Sequence, residues 1–251
     1  MSRLEVVGLV KTLGERRRSF AFTRQRAVID LDSRSAVLRG VDLTIQSGEC
    51  VGLRGATGSG KSTLLRLIAG LSMPDSGTVL LDGEIISTPA SVRPPGMRQI
   101  GMVFQNLGLW PHLTVQGHLD FVLAVTPLSK AERDFRRQEI LDTFLLSDLR
   151  QRYPSQLSGG ERHLLALARA FCGEIRLLLM DEPFNGLDGI LKQRILVTLN
   201  KARIKRGLTA LLVSHDPQEM RTLCQRVEQI SEGRILEKSR REVQSAENTD
   251  L

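Results

Sequence analysis

The run Gly55-Ala56-Thr57-Gly58-Ser59-Gly60-Lys61-Ser62-Thr63 constrains this chain more than any other stretch in it. It has the form G-x-x-x-x-G-K-[ST]. It follows the apolar segment Cys50 to Leu53 and opens the helical pattern Leu64-Leu65-Arg66-Leu67-Ile68-Ala69. Strand, glycine-rich loop and helix in that order make a phosphate-binding loop. Glycines let the backbone wrap closely around an anion. Successive N–H groups and the helix N-terminus then aim positive potential at it. In such a loop Lys61 reaches the outer phosphates of a nucleotide and Ser62 sets its hydroxyl on Mg²⁺. Glycine-rich turns also open helices that bind nothing, but the complete run in this context favours phosphate.

A second motif narrows the reading. Leu157-Ser158-Gly159-Gly160-Glu161 stands just before the helical pattern His163 to Ala170. Alone it would read as a loop. Close behind it, Leu177-Leu178-Leu179-Met180 runs into Asp181 and Glu182. That pattern predicts a buried parallel strand with its acids at the C-terminal edge of the sheet, where ligands bind in open α/β folds. Asp181 is the candidate for holding Mg²⁺, directly or through water, and Glu182 for polarising an attacking water.

With these motifs in place, residues 4 to 237 resemble the nucleotide-binding subunit of ATP-binding-cassette (ABC) transporters. The family's glutamine loop matches Gln105 in Met102-Val103-Phe104-Gln105, and its signature matches Leu157 to Glu161. Its aspartate loop matches Gly186-Leu187-Asp188, and its switch histidine matches His215 in Val213-Ser214-His215-Asp216. All stand in the family's order. The resemblance implies an α/β fold: a RecA-like P-loop core, an N-terminal antiparallel β subdomain and an inserted helical subdomain at about 107–158, with a polar tail at 238–251. It also implies two copies pairing head to tail around two ATP molecules with Mg²⁺. Each γ-phosphate then meets Lys61 of one copy and Ser158, Gly159 and Gly160 of the other, so ATP binding and hydrolysis work a ligand-driven switch. Gln105 would sense Mg²⁺ or water, Asp188 would belong with Glu182, His215 and Gln105 to the catalytic set, and His215 would contact the γ-phosphate and hold Glu182 and water in register. Membrane permease subunits would be the further partners, with the chain peripheral on the cytoplasmic side of the membrane.

Three departures from the family pattern stand out. Leu13 falls where an adenine-stacking aromatic is usual, and the Arg-rich segment from about Glu15 to Ala36 reads as an insertion in which Phe20 or Phe22 could supply the ring. Glu161 replaces the commoner glutamine. Arg162-His163-Leu164-Leu165 replaces a polar Gln-Arg pair. The stretch Ile100 to Val115 looks like importers of sugars, polyamines, amino acids or metal oxyanions, whereas Glu161 looks like lipoprotein-release and macrolide-export relatives. Direction and cargo stay open at this point.

Composition sets the remaining bounds. Lys plus Arg outnumber Asp plus Glu by 35 to 28, a formal charge of +7. That excess reads as solvated surface or as proximity to anionic lipid. A single Trp and a single Tyr give no aromatic-interleaved basic patch, so no nucleic-acid partner is expected. No apolar run is long enough to span a bilayer and no signal peptide is expected. Three widely spaced cysteines suggest packed thiols rather than a disulfide framework or zinc site, and His112, His118 and His163 suggest surface or packing roles. Two rivals remain. A soluble cassette acting on ribosomes or DNA would usually carry two cassettes or a coiled-coil insert, and a non-hydrolysing regulatory cassette would lack Glu182 or His215.

Overall fold

Three segments with no polar face, Cys50–Arg54, Leu177–Asp181 and Thr209–Val213, lie side by side in parallel, as burial on both faces of a sheet requires. They form the middle of the molecule in a computed structural model that describes residues 2–12 and 36–236. Leu13, Phe20, Phe22 and the polar tail lie outside the described residues. The strands are β1 (Leu4–Thr12), β2 (Ala36–Ile45), β3 (Cys50–Arg54), β4 (Ser76–Leu81), β5 (Glu84–Ser87), β6 (Ile100–Val103), β7 (Leu177–Asp181), β8 (Thr209–Val213), β9 (Arg226–Ser231) and β10 (Arg234–Ile235). The helices are α1 (Lys61–Ala69), α2 (Val115–Leu123), α3 (Lys130–Thr143), α4 (Gly159–Cys172), α5 (Gly189–Lys205) and α6 (Pro217–Leu223).

The central sheet has the order β10-β9-β3-β8-β7-β6, parallel except for β10. A second, antiparallel sheet has the order β2-β1-β4-β5. Period-two alternation divides the central strands between two cores. Leu177, Leu179, Leu211, Val213, Val51 and Leu53 pack with α1 and the antiparallel sheet. Leu178, Met180, Ala210, Leu212 and Cys50 pack with α2, α3, α4 and α5 on the other face.

Two boundaries differ from the sequence expectation. Apolar periodicity predicts a helix from Lys130 to Leu146, but α3 stops at Thr143. Leu145 turns the chain at φ 56°, and the Leu146 N–H returns to Leu141 O at 2.8 Å. Phe144 and Leu146 are fully buried by that turn, so the apolar pattern outlasts the helix. The alternation Val41 to Ile45 predicts a strand, yet β2 already begins at Ala36, because cross-strand pairing extends to Thr12 opposite Ala36 through irregular registers. Arg98 was unreadable as a core residue. It is 1 % exposed, and its guanidinium donates to Leu67 O, Ile68 O, Ile86 O, Arg93 O and Ser87 Oγ. It thereby satisfies carbonyls at the C-terminus of α1, the favoured end for a cation. Burial without a carboxylate partner lowers its pKa to about 10.

Candidate active site

The C-terminal ends of four parallel strands deliver the candidate residues to one edge of the sheet. Leu53, Val213 and Asp181 are level across β3, β8 and β7, and Val103 pairs with Met180 across β6 and β7. β3 therefore feeds the glycine loop, β7 ends in Asp181 and Glu182, β8 leads to His215, and β6 leads to Gln105. Loops separated by many residues in sequence converge because their strands are parallel and adjacent.

The glycine loop, from Gly55 to Thr63, is shaped around its own backbone. Gly58 sits at φ 81° and Gly60, the N-cap of α1, at φ 106°, both in the left-handed region. A Cβ on Gly55 would come within 2.2 Å of Ile230 O, and one on Gly60 within 2.5 Å of Leu38 Cδ2. The Lys61 ammonium donates to Gly55 O at 2.6 Å and Ala56 O at 2.9 Å. Burial lowers its pKa, and the nearby Glu182 and Asp181 charges oppose that shift. Ser59 is buried, and its hydroxyl has no hydrogen-bond partner. Ala56 and Thr57 form the exposed crest of the loop. An orphaned hydroxyl, crowded glycines and a helix start without a side-chain cap fit a bound phosphate.

Asp181 is buried and lines one small cavity with Ser62 and Gln105. Burial raises its carboxyl above the usual range, and the Ser62 hydroxyl beside it only partly offsets this. Oxygen donors from a hydroxyl and a carboxylate suit a hard cation such as Mg²⁺. Glu182 occupies φ 47°, unusual for a residue with a side chain, and its N–H is held by Val213 O at 2.9 Å. Its carboxylate meets His215 Nε2 at 3.1 Å through Oε1 and Gln105 Nε2 at 3.4 Å through Oε2. The backbone strain thus lies at the residue where three loops meet.

Other candidate residues are placed elsewhere. Ser158 caps α4, accepting the Glu161 N–H at 3.3 Å while Glu161 Oε2 accepts the Ser158 N–H at 2.7 Å. Gly159 faces open space, whereas a Cβ on Gly160 would lie 2.0 Å from Leu191 Cδ2. Asp188 is exposed and caps α5 through the Leu191 N–H at 3.0 Å. No hydrogen bond among the described residues joins Ser158, Gly159, Gly160 or Asp188 to the glycine loop. Glu161 serves as the cap partner, a role that glutamine can also fill. Of the neighbouring substitutions, Leu164 and Leu165 are core and Arg162 bonds Leu157 O.

Several relationships left no mark in the sequence. His118 is buried, accepting the Trp110 N–H at Nε2 and contacting Thr114 O at Nδ1, which fixes the neutral Nδ1–H form. Trp110 also lies under Arg169. The Cys50 and Cys224 sulfurs are 3.7 Å apart despite their separation in sequence. Lys192, Ser214, Asp216 and Glu219 form a charged cluster behind His215. The only available cue was apolar helix spacing, which marks Lys192 as an ordinary surface position.

A glycine loop on a parallel sheet, with an acid pair two strands along, a capped signature helix and an antiparallel sheet alongside, defines an ATP-binding cassette. Residues 38–185 match the family described as ABC transporter, and the chain belongs to that family. It is 44% identical over 207 residues to the sulfate/thiosulfate import ATP-binding protein CysA of Brucella melitensis, covering 81% of this chain and 56% of that protein. It is 41% identical over 201 residues to the spermidine/putrescine import ATP-binding protein PotA of Thermotoga maritima, covering 80% and 54%. The chain thus spans about half the length of the curated relatives it matches. Among solved structures it is similar to the dimeric post-hydrolysis state of the ATP-binding cassette MJ0796 bound to ADP and Pi. That match has a TM-score of 0.75 and 28% identity, covering 93% of this chain and 97% of the other. These matches bear out the expected α/β cassette fold.

Proposed function

We propose that this chain is the ATP-hydrolysing subunit of a solute importer, working as a head-to-tail pair on separate permease subunits at the cytoplasmic face of the membrane. The observation that carries the reading is Glu182, strained at the end of β7 and touched by both His215 and Gln105. Lys61 would turn from its loop carbonyls to the β- and γ-phosphates, and the Ser59 hydroxyl would gain a partner. Ser62 and Asp181, with Gln105 close by, would hold Mg²⁺, which neutralises charge on the phosphate oxygens. Among the described residues no three His, Cys, Asp or Glu side chains group to bind a metal alone, which agrees with a cation shared with phosphate and water. Glu182 would orient and polarise the attacking water, and His215 would keep the carboxylate aimed.

The open face of Gly159 supports a role for Ser158, Gly159 and Gly160 toward the nucleotide of a second copy, and the dimeric MJ0796 cassette supports pairing. Asp188, at the start of α5, would face that copy. Import is favoured over export by the relatives, which are import ATP-binding proteins for sulfate and thiosulfate or for spermidine and putrescine. That evidence outweighs the export-like Glu161, whose structural role is a helix cap. No helix among the described residues is long and apolar enough to cross a membrane. A groove beside Gln105, lined by Met102, Phe104, Trp110, Val122 and Ile175, would seat the permease.

The test is steady-state ATPase activity and nucleotide binding on two proteins. Wild type should hydrolyse ATP, and Glu182→Gln should bind it without turnover, because the amide keeps the shape but loses the basic oxygen. Near-normal hydrolysis by Glu182→Gln would remove that residue from the mechanism.

A further inference from the structure

His215 carries the candidate switch imidazole, yet its own contacts say little about what aims it. Its side chain is 52% exposed, and its polar contact among the described residues is Glu182 itself. The ring direction must be set by the backbone on either side, at Ser214 and Asp216. Both residues are fixed by one buried cluster. The Ser214 hydroxyl donates to Glu219 Oε2 at 2.5 Å, and its oxygen accepts the Asp216 N–H at 2.9 Å. The Lys192 ammonium bridges Asp216 Oδ2 at 2.5 Å and Glu219 Oε1 at 2.5 Å. The side chains of Lys192 and Glu219 are only 15% and 4% exposed, so solvent screens this cluster weakly.

Lys192 comes from a different loop. It stands in the first turn of α5, and its N–H bonds to Asp188 O at 2.9 Å. The Asp188 side chain caps the same turn. One side chain therefore ties the start of α5 to both residues flanking His215. We propose that Lys192 is a positioning residue that locks the Asp188 loop and the His215 loop into one unit and so keeps His215 Nε2 on the Glu182 carboxylate. The inference rests on the hydrolytic role assigned to Glu182 and His215. Its physical consequence is that a partner displacing the start of α5 moves the imidazole with it. Two carboxylates converging on one ammonium tolerate neither loss of the charge nor a shorter side chain.

The experiment uses the full chain and five variants. Lys192→Met should lower kcat at least about tenfold while KM for ATP stays within about twofold, the pattern of a lost transition-state arrangement. Lys192→Arg, which keeps charge and reach, should recover to within about threefold of wild type. Removing the lysine alone leaves Glu219 buried and unpaired, which can unfold the chain. Lys192→Met combined with Glu219→Gln removes both charges. It should melt near wild type and still hydrolyse slowly. A direct readout uses ¹⁵N-labelled histidine. Glu182→Gln should shift the His215 Nε2 resonance in the wild-type background and move it less than half as far in the double variant. Equal shifts in both backgrounds, or wild-type kcat in the folded double variant, would overturn the proposal. If the wild-type chain fails to hydrolyse ATP while the resonance behaves as expected, the function is wrong and the positioning role stands.

Discussion

Two helix starts carry the glycines assigned to phosphate, and they are finished in different ways. α1 begins at Gly60 with no side-chain cap, and Lys61 folds back on the carbonyls of its own loop. Beside it the Ser59 hydroxyl is buried without a partner. α4 begins with a complete capping box between Ser158 and Glu161, and Gly159 next to it faces open space. The first start is unfinished, and an entering anion would satisfy it. The second is finished by its own residues and offers only an accessible surface. A loop completed by its ligand binds alone, whereas a capped start contributes when another molecule brings the ligand to it. That asymmetry is the physical reason to expect each full site to be shared between two chains rather than completed within one.

The largest effect that can break this contrast is at Lys61. Lys61→Ala should weaken binding of Mg²⁺–ATP by at least about a hundredfold, because a charge aimed at phosphate in a partly buried loop is lost. Ser158→Ala should cost about 1 kcal/mol of stability through the lost cap and leave binding to the single chain unchanged. Calorimetric titration at concentrations where the chain is monomeric separates the two. Equal losses of affinity would mean that Ser158 already serves its own chain's nucleotide.

The adjacent glycines sharpen the comparison. Gly160→Ala forces the terminal methyls of the half-buried Leu191 aside, a cost of at most about 1–3 kcal/mol read as a lower Tm. Gly159→Ala meets nothing and should stabilise the start of α4 by about 0.4–1 kcal/mol through the unfolded chain. Gly159→Asp should fold equally well, yet abolish the ATP-induced dimer of Glu182→Gln in light scattering, since a carboxylate would face phosphate across the pair. A dimer that persists with Gly159→Asp would show that this glycine does not face the second copy.

What the sequence could reveal follows the same division. Contacts made within a short window were legible. The glycine loop, the acids ending β7 and the helix opening at Gly159 all follow from strand–loop–helix order and apolar runs. Contacts made across the fold were not. Arg98 carries no sign that it is buried, because its acceptors are backbone carbonyls on distant elements. Lys192 lies on an exposed-looking helix face, and its two acids sit beyond a strand and a turn. Leu146 misled for the opposite reason: apolar spacing reports burial, and a turn buried it as well as another helical turn would have.

A smaller effect concerns Asp181, whose carboxyl is held above the usual range chiefly by burial. The folded chain therefore binds this proton more tightly than the unfolded one. Its contribution to stability is complete below the ordinary carboxylate value of 3.8 and is lost as pH rises through the folded value. Asp181→Asn should accordingly melt like wild type in acid and a few degrees higher at neutral pH, while losing Mg²⁺-dependent hydrolysis. Melting curves across pH check the sign. A lower Tm at neutral pH would show that the pull of the nearby Ser62 hydroxyl on the carboxylate outweighs burial.

The smallest expected effect is at Glu161, and it tests the finished helix start directly. Glu161→Gln keeps an oxygen for the Ser158 N–H, now bonded at 2.7 Å, so the capping box survives. What disappears is a negative charge at a helix N-terminus, worth about 0.3–1 kcal/mol to the isolated chain. The same charge opposes any phosphate arriving at that N-terminus. The two consequences have opposite signs: the variant should melt slightly lower as a free chain and form the ATP-bound pair slightly more readily, by no more than about fivefold. Melting and light-scattering titrations on one preparation, in the Glu182→Gln background, measure both. Weaker pairing together with the lower Tm would mean that Glu161 acts only through its own helix, and that the capped start of α4 receives no phosphate from a second chain.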